Sequence, residues 1–303
     1  MMSLNIRDTF NGLYLLIRSR VEVIFLWSWS AAIATMIAGK GFPPLQSTIL
    51  VILATILVTI SVYTYNDIID AEMDKMNKLK ANKPLVKGVV SPTLAKLLVI
   101  VTAVSGLSLS YIISLQTFII CFTWFVIFFL YSYPQVRFKK VFIVKEVTSS
   151  SGQIFTALMG GFSVSSAFNP SIIFAGIAFW VFTFLGVPAF ADTLDAKEDQ
   201  AYGMKTLGAV LSWKRKIQLM GVGCLFMMTI TPLTYIQLGF SVLLPITTII
   251  LSLIVLRWGV YPAMNQYSDM IALRGRRLFT VYLLVTQIVF ILSSMNLGSL
   301  LFP

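Results

Sequence analysis

Long apolar stretches separated by short polar segments run through most of the chain, and their length predicts membrane-spanning helices. A helix needs about 20 apolar residues to cross the hydrocarbon core of a bilayer. Nine stretches approach that length, and they are residues 22–39, 48–66, 93–113, 116–133, 147–165, 171–191, 217–236, 241–261 and 278–298. The fifth is the most polar, because Lys145 and Glu146 stand at its start and are followed by Thr148, Ser149, Ser150 and Ser151. Such a polar stripe is typical of a helix that faces a cavity.

The overall composition agrees with this pattern. Of the 303 residues, 57% are hydrophobic and only 12% are charged, whereas an ordinary globular protein has about 25% charged residues. We therefore predict an all-α, polytopic membrane protein in which nine transmembrane helices form one bundle.

The placement of the charged residues predicts the orientation in the membrane. With nine spans, 22 of the 23 basic residues fall on one side and only Lys40 falls on the other. Basic loops face the cytoplasm, so we expect the N-terminus and the long loops to be cytoplasmic and the C-terminus to lie outside. The net charge of +11 then reflects orientation and contact with anionic membrane lipids, and it does not indicate a nucleic-acid partner.

A group of carboxylates follows the second apolar stretch directly. In the segment N-D-I-I-D-A-E-M-D, which begins at Asn66, the residues Asp67, Asp70 and Asp74 are spaced i, i+3 and i+7. On a continuing helix this spacing places all three side chains within one narrow arc. The segment therefore predicts an acidic, metal-binding helix face at the rim of the membrane.

The same spacing returns at Asp192, Asp195 and Asp199, each of which lies 125 residues after its counterpart in the first set. Lys80 and Lys205 keep the same offset. A duplicated unit is the simplest explanation. We predict one domain over residues 1–303 with an internal parallel duplication, in which motif one spans 66–83 and motif two spans 192–205.

The chemistry of these residues indicates a magnesium and diphosphate site. The chain contains no histidine, and carboxylate oxygens favour hard cations such as Mg²⁺, which commonly binds one or two carboxylates together with substrate phosphates. Two facing acidic helices can hold two or more Mg²⁺ ions with a polyanion between them. Basic side chains near the motifs would supply further donors to phosphate oxygens; they are Lys80, Lys83, Arg137, Lys139 and Lys205.

The rest of the ligand is expected to be apolar, because the charged rim opens into an uncharged helical bundle. An allylic isoprenoid diphosphate satisfies both requirements. Neutralised diphosphate is a good leaving group, and the rings of Tyr131 or Tyr133 would stabilise the resulting allylic cation. A second, lipophilic substrate would then attack the cation, and a carboxylate or water would accept its proton.

The paired motifs, N-D-x-x-D-x-x-x-D from Asn66 and D-x-x-D-x-x-x-D from Asp192, together with nine apolar stretches, resemble the UbiA superfamily of membrane-intrinsic prenyltransferases. The resemblance covers essentially the whole chain. It implies a helical bundle around a central cavity that is open to lipid, two Mg²⁺ ions on the aspartate motifs, and a cytoplasmic cap over the diphosphate. Tyr133 and Arg137 match the Tyr-x-x-x-Lys/Arg position of that superfamily, and Lys83 stands where its members more often have arginine.

This resemblance implies roles for particular residues. Catalytic roles are expected for Asp67, Asp192 and Tyr133, with Asp192 the candidate for orienting or deprotonating the acceptor. The expected metal ligands are the six motif aspartates: Asp67, Asp70, Asp74, Asp192, Asp195 and Asp199. The expected substrate-binding residues are Asn66, Lys80, Lys83, Tyr131, Arg137, Lys139 and Lys205.

The identity of the acceptor stays open at this level. We favour an aromatic quinone precursor, with a geranylgeranylglyceryl phosphate lipid as the alternative. The absence of histidine argues against a haem acceptor that needs an axial ligand. A divalent-cation transporter is the competing class, but it predicts ionisable groups near the middle of the membrane and usually inverted repeats. No obligatory protein partner is indicated.

Overall fold

The computed structural model describes residues 6–75, 80–190, 196, 200 and 203–295, and this part of the chain is helical, with no strand. The helices are α1 (Ile6–Arg18), α2 (Val21–Ala38), α3 (Leu45–Asp74), α4 (Pro92–Ile113), α5 (Leu115–Ser132), α6 (Val144–Val164), α7 (Pro170–Phe190), α8 (Leu207–Val210), α9 (Trp213–Thr234), α10 (Leu243–Val255), α11 (Tyr261–Asn265) and α12 (Asp269–Ser294). A 3₁₀ turn, Phe138–Lys140, joins α5 to α6, and a π-helical turn, Leu256–Val260, joins α10 to α11. The prediction of an all-α fold is confirmed.

Seven segments of the described chain are long and apolar enough to cross a membrane. They are α2, α3, α4, α5, α9, the segment Leu243–Asn265 and α12, and they coincide with seven of the nine predicted spans. The chain is therefore an integral membrane protein.

The two remaining predicted spans correspond to α6 and α7. In α7 the described apolar part, Pro170–Gly186, is shorter than the other seven. Helix α6 is long but polar, because it buries Glu146, Gln153 and several hydroxyl side chains against other helices. The total of nine crossings stays a prediction.

Helix α3 continues beyond the predicted span and through the acidic motif, as the spacing of the three aspartates predicted. The sequence indicated a span over 48–66, whereas the helix runs for 30 residues to Asp74. At 1.5 Å per residue it is about 45 Å long, well beyond the roughly 30 Å of a hydrocarbon core. Its last turns therefore extend past the apolar layer, and these turns carry the acidic motif.

Two apolar clusters fill the bundle. The larger one joins α2, α6, α7, α9, α10 and α12 through residues such as Phe179, Met220 and Phe290. The smaller one is aromatic and joins α2, α3, α5 and α6 around Trp27, Trp124 and Phe128. The second cluster includes Val62, which precedes the acidic end of α3 by little more than one helical turn, so it provides apolar packing next to that region.

Helix α1 packs its side chain Leu16 against Val90 and Ala95, at the loop that precedes α4. Its residues Phe10 and Tyr14 are exposed. An apolar outer face next to Arg18, whose guanidinium lies 5.9 Å from the Tyr14 ring centroid, is typical of a helix at a membrane surface.

Candidate active site

The three aspartates of the first motif lie on one face of α3, as the spacing predicted, and all three are buried. Their exposed fractions are 2% for Asp67, 6% for Asp70 and 2% for Asp74. Burying a carboxylate costs free energy unless it is paired and hydrogen-bonded. Each of these side chains is accordingly in contact with at least one basic group.

Asp67 is paired with two basic residues from different parts of the chain. Arg20, between α1 and α2, donates from Nε to Asp67 Oδ2 at 3.0 Å and from a second guanidinium nitrogen to Oδ1. This is the two-pronged geometry in which arginine binds a carboxylate most strongly. Lys83 Nζ also donates to Asp67 Oδ1, at 2.9 Å.

Lys83 bridges the first and last aspartates of the motif. Its ammonium group lies 2.9 Å from Asp67 Oδ1 and 2.6 Å from Asp74 Oδ2. A single positive charge between these two carboxylates is therefore bound by both of them.

Asp70 faces the basic segment that follows α5. It accepts hydrogen bonds from Lys139 Nζ and from Arg137 Nη2, the latter at 3.3 Å. Lys139 also donates to Asn66 Oδ1 at 3.2 Å, and Ser132 Oγ donates to the same oxygen at 2.8 Å. The 3₁₀ turn is thus tied to α3 through Asn66 and Asp70.

These ion pairs change the proton affinity of the basic groups. Burial disfavours the charge of Arg20, but the charge and hydrogen bonds of Asp67, together with smaller contributions from Tyr63 and Asp74, outweigh burial and raise the pKa of Arg20 above the usual value of arginine. For Lys139 burial is the stronger effect and lowers its pKa, although Asp70 opposes that change. Arg20 is therefore a permanent cation at this site.

The backbone of Arg137 adopts an unusual conformation. Its φ and ψ angles are 45° and 58°, in the left-handed region that residues with a Cβ seldom occupy. The Arg137 amide donates to the carbonyl of Tyr133 at 2.8 Å, which closes the turn after α5. Strained backbone of this kind clusters at functional sites, and here it immediately precedes the 3₁₀ turn that carries Lys139, whose ammonium group contacts Asp70 on α3.

A cavity of about 290 Å³ opens beside the acidic end of α3, and Asp67 is not among its described lining residues. Its polar wall includes Asn66, Asp70 and Asp74, together with basic side chains, and its apolar wall includes Val62 and Phe128. The basic side chains that line it are Arg20, Lys80, Lys83, Lys139 and Lys145. The cavity lining therefore combines charged and apolar side chains.

The two tyrosines differ in position. Tyr131 lines the cavity. Tyr133 is not among the described lining residues, and its ring stacks on Phe129 with centroids 5.6 Å apart, while Phe129 stacks on Tyr65. The catalytic role expected for Tyr133 stays a prediction, and Tyr131 is the better placed of the two.

Other predicted site residues are less well placed or lie outside the described part of the chain. Lys205 is exposed and is not among the described lining residues. The second set of expected metal ligands, Asp192, Asp195 and Asp199, lies outside the described residues. Their roles stay predictions.

The sequence did not identify several residues that the structure places at this site. Arg20 was assigned to membrane orientation, although it is a principal partner of Asp67. Ser149 and Thr206 also line the cavity. The polar start of α6, with Lys145 and Ser149, was the one sequence signal for a cavity-facing helix, whereas nothing near Arg20 indicates a partner 47 residues away.

The arrangement fits a divalent cation. Among the residues that the structure describes, no three acidic or sulfur side chains already converge on one point. However, Lys83 Nζ shows that a cation is accommodated between Asp67 and Asp74, and carboxylate oxygens are the ligands that Mg²⁺ prefers. Full coordination would then need additional oxygen ligands, from water, from substrate phosphates or from motif two.

The chain is similar to named proteins over most of its length. It is 25% identical over 269 residues to the digeranylgeranylglyceryl phosphate synthase of Thermococcus kodakarensis, covering 87% of this chain and 91% of that protein. It is 22% identical over 213 residues to the 4-hydroxybenzoate octaprenyltransferase of Pseudomonas entomophila, covering 67% and 69%.

Solved structures share the fold. A structure of digeranylgeranylglyceryl phosphate synthase superimposes with a TM-score of 0.72 at 17% identity, covering 95% of this chain and 99% of that one. A UbiA homologue from Archaeoglobus fulgidus, bound to GPP and Mg²⁺, superimposes with a TM-score of 0.66 at 17% identity, covering 92% and 99%. The sequence model of the UbiA prenyltransferase family matches residues 27–298. The match includes the acidic end of α3, and the chain belongs to the UbiA prenyltransferase family and is a membrane-bound transferase.

Proposed function

We propose that the protein transfers a polyprenyl group from an allylic isoprenoid diphosphate to a lipophilic acceptor, in a reaction that depends on Mg²⁺. One observation carries this proposal: two of the three buried carboxylates, Asp70 and Asp74, line a cavity together with five basic side chains and with apolar side chains such as Val62 and Phe128. The charged part of the lining suits a metal-bound diphosphate, and the apolar part suits an isoprenoid chain.

The first acidic motif would bind Mg²⁺ through Asp67, Asp70 and Asp74. The ion would neutralise charge on the diphosphate and make it a better leaving group. We assign a second ion to Asp192, Asp195 and Asp199 by the repeated spacing. The starts of α3 at Leu45 and α7 at Pro170 are also 125 residues apart, which supports a parallel duplication. The A. fulgidus homologue solved with Mg²⁺ and GPP supports the choice of metal.

The basic side chains would bind the diphosphate oxygens. Lys83 lies between two carboxylates, so a Mg²⁺ ion bound there would displace its ammonium group towards the phosphate. Arg20, Lys80 and Lys139 line the same wall. Hydrogen bonds between such cations and phosphate oxygens are stronger than neutral ones, and they would hold the donor in one orientation.

Bond cleavage would begin at the allylic C–O bond, whose electron pair leaves with the diphosphate. The positive charge would then lie on the allylic carbons, facing the rings of Tyr131 and Phe128. Aromatic faces stabilise a cation electrostatically without forming a bond to it. The acceptor would attack the terminal allylic carbon, and its proton would pass to a carboxylate, for which Asp192 is our candidate, or to water.

For the acceptor we propose a geranylgeranylglyceryl phosphate lipid. The named synthases of T. kodakarensis and of the solved structure support this choice. Charge also supports it, because the described residues that line the cavity include five basic and two acidic side chains. That surplus suits two substrates that each carry phosphate.

An aromatic quinone precursor is the second candidate, and the similarity to the Pseudomonas enzyme named for 4-hydroxybenzoate favours it. Divalent-cation transport, the other alternative from the sequence, receives no support from membership in a family of transferases. We further propose nine crossings, with the N-terminus and the active-site loops on the cytoplasmic side, the C-terminus outside, and a cap formed by the loops after α3 and α7.

The test is product analysis with purified protein in lipid nanodiscs. Geranylgeranyl diphosphate and Mg²⁺ would be supplied with either geranylgeranylglyceryl phosphate or 4-hydroxybenzoate, and products identified by mass spectrometry. We expect a product heavier than the lipid acceptor by one geranylgeranyl group. A prenylated product from 4-hydroxybenzoate alone would replace the lipid by the aromatic acceptor. No prenylated product from either, with Mg²⁺ present, would refute the transferase proposal for these substrates.

A further inference from the structure

The segment from Gly203 to Leu211 forms one wall of the cavity. Met204 and Thr206 line it, and Gly203 begins the segment with a φ of +67°, a backbone conformation that glycine adopts readily. The short helix α8 follows, and the hydroxyl of Thr206 accepts a hydrogen bond from the Ala209 amide at 3.1 Å. A single helical turn of this kind is not stable by itself, so contacts from outside the segment must fix its position.

One of these contacts comes from Glu146, at the start of α6. Its carboxylate Oε1 accepts a hydrogen bond from the backbone N–H of Leu207 at 2.6 Å, and the side chain is only 2% exposed. The neighbouring Lys145 lines the cavity, and its Nζ lies 3.9 Å from the Glu146 carboxylate. Glu146 therefore joins the first turn of α6 to the start of α8.

Gln200 Nε2 donates to the carbonyl of Ala209 at 2.7 Å, in an exposed contact, and a further buried contact comes from Lys216, in the first turn of α9. Its Nζ donates a hydrogen bond to the carbonyl oxygen of Gly208, and the side chain is 4% exposed. Two buried residues of opposite charge thus contact the N–H of residue 207 and the carbonyl of residue 208. Glu146 therefore binds a backbone donor and Lys216 binds a backbone acceptor, in two successive residues of α8.

Contacts of this kind fix the backbone rather than a side chain. A carboxylate and an ammonium group are costly to bury, and hydrogen bonds to charged groups are stronger than neutral ones. Moving α8 away from α6 or α9 would break these bonds and leave a buried charge with one partner fewer. The position of the wall at Met204 and Thr206 is therefore tied to Glu146 and Lys216, neither of which lines the cavity.

We propose that Glu146 and Lys216 are positioning residues for the transfer reaction: they clamp the backbone of α8 and so hold the Met204–Thr206 wall against the bound diphosphate donor. The catalytic consequence rests on the proposed function, whereas the clamp itself does not. Loss of the clamp would loosen donor binding without removing any group that contacts the reacting atoms.

The first test measures the clamp without any substrate, by hydrogen–deuterium exchange of the peptide that covers residues 204–211. Glu146→Leu removes the acceptor for the Leu207 amide, and we expect exchange there to be about tenfold faster or more, the factor for one charge-assisted hydrogen bond. Glu146→Gln keeps an acceptor oxygen and should restore most of the protection. Peptides of α3 and α9 should exchange as in the wild type, which shows that the fold is intact.

The second test measures steady-state kinetics with geranylgeranyl diphosphate. Glu146→Leu and Lys216→Met should each raise KM for the donor by about tenfold while kcat changes by less than about threefold, and Glu146→Gln should recover KM. Lys214→Met is the matched control, because Lys214 is an exposed lysine two residues from Lys216, and it should leave both constants unchanged.

The outcomes separate the two proposals. Unchanged exchange at 204–211 in Glu146→Leu, with the rest of the protein protected, would overturn the clamp. Faster exchange with an unchanged KM would overturn its role in donor binding. If the wild-type protein showed no turnover at all, the proposed function would fail while the exchange result would still decide the clamp.

Discussion

Replacing Asp67 by asparagine tests the electrostatic core of the site with an almost isosteric change. The carboxylate of Asp67 accepts two hydrogen bonds from Arg20 and one from Lys83. Asparagine keeps one acceptor oxygen, but it places an NH₂ group against a donor and removes the negative charge. Arg20 and Lys83 both keep their positive charges, so the guanidinium of Arg20 loses the carboxylate that it contacts.

The expected loss of stability depends on how far the paired side chains are exposed to water. Removing one partner of a fully buried ion pair costs about 3–5 kcal/mol. Here the side chains of Arg20 and Lys83 are 23% and 22% exposed, so water partly solvates them, and Lys83 still contacts Asp74 at 2.6 Å. We therefore expect Asp67→Asn to lower the free energy of unfolding by about 2 kcal/mol. For a chain of this length that corresponds to a thermal midpoint lower by about 4 °C.

The assay is thermal unfolding of the detergent-solubilised protein, combined with diphosphate release. Turnover should fall by about 10²–10³-fold, the usual cost of removing a charged group that acts on the transition state. Glu72→Gln is the matched control, since Glu72 lies on the same helix with a side chain that is 85% exposed and pairs only with the neighbouring Lys75 among the described contacts. That variant should match the wild type in both measurements. An Asp67→Asn protein with wild-type stability and turnover would refute this account of the site.

Two further predictions use matched pairs of substitutions. Lys83→Met should raise KM for the diphosphate donor by about tenfold or more, because a charge-assisted contact is lost. Lys83→Arg should keep or improve donor affinity. The control is Lys87→Met, at an exposed lysine of the same loop, which should leave KM unchanged. Gly152→Ala would place a methyl group against the Trp27 ring at a distance shorter than real van der Waals contacts. We expect it to destabilise the protein by about 1–3 kcal/mol. The control is Gly221→Ala, where the nearest atom is 3.6 Å away, and it should be tolerated in the same thermal assay.

For each pair of variants, one result would contradict the prediction. Equal KM values for the two lysine-to-methionine variants would mean that Lys83 does not contact the donor. A Gly152→Ala protein as stable as the wild type would show that α6 and α2 separate more easily than their close packing indicates.

The acidic end of α3 could be predicted because its signal is local. The helical spacing of Asp67, Asp70 and Asp74 depends only on the geometry of one continuous helix. Lys139 was identified for a similar reason, as part of a basic cluster that follows a membrane span. What the sequence could not supply was the pairing itself, for example that Lys139 contacts Asp70.

Arg20 and Glu146 show why the remaining site residues were missed. Basic residues near the ends of spans usually serve orientation, so nothing distinguishes Arg20 from Arg18 until the fold brings α3 beside it. The polar start of α6 was recognised as facing a cavity, but the contact between Glu146 and the backbone of Leu207 joins positions 61 residues apart. Contacts to a backbone amide leave no side-chain pattern in the partner segment.

The central claim is that the acidic end of α3 binds the metal that activates a prenyl diphosphate. The most direct measurement is diphosphate release from geranylgeranyl diphosphate by wild-type protein and by Asp70→Asn, in nanodiscs, with Mg²⁺ and with EDTA. We predict release by the wild type only when Mg²⁺ is present, and a loss of release of about 10²-fold or more in Asp70→Asn, with both proteins equally folded. Release that persists in EDTA, or that is unchanged in Asp70→Asn, would contradict the claim.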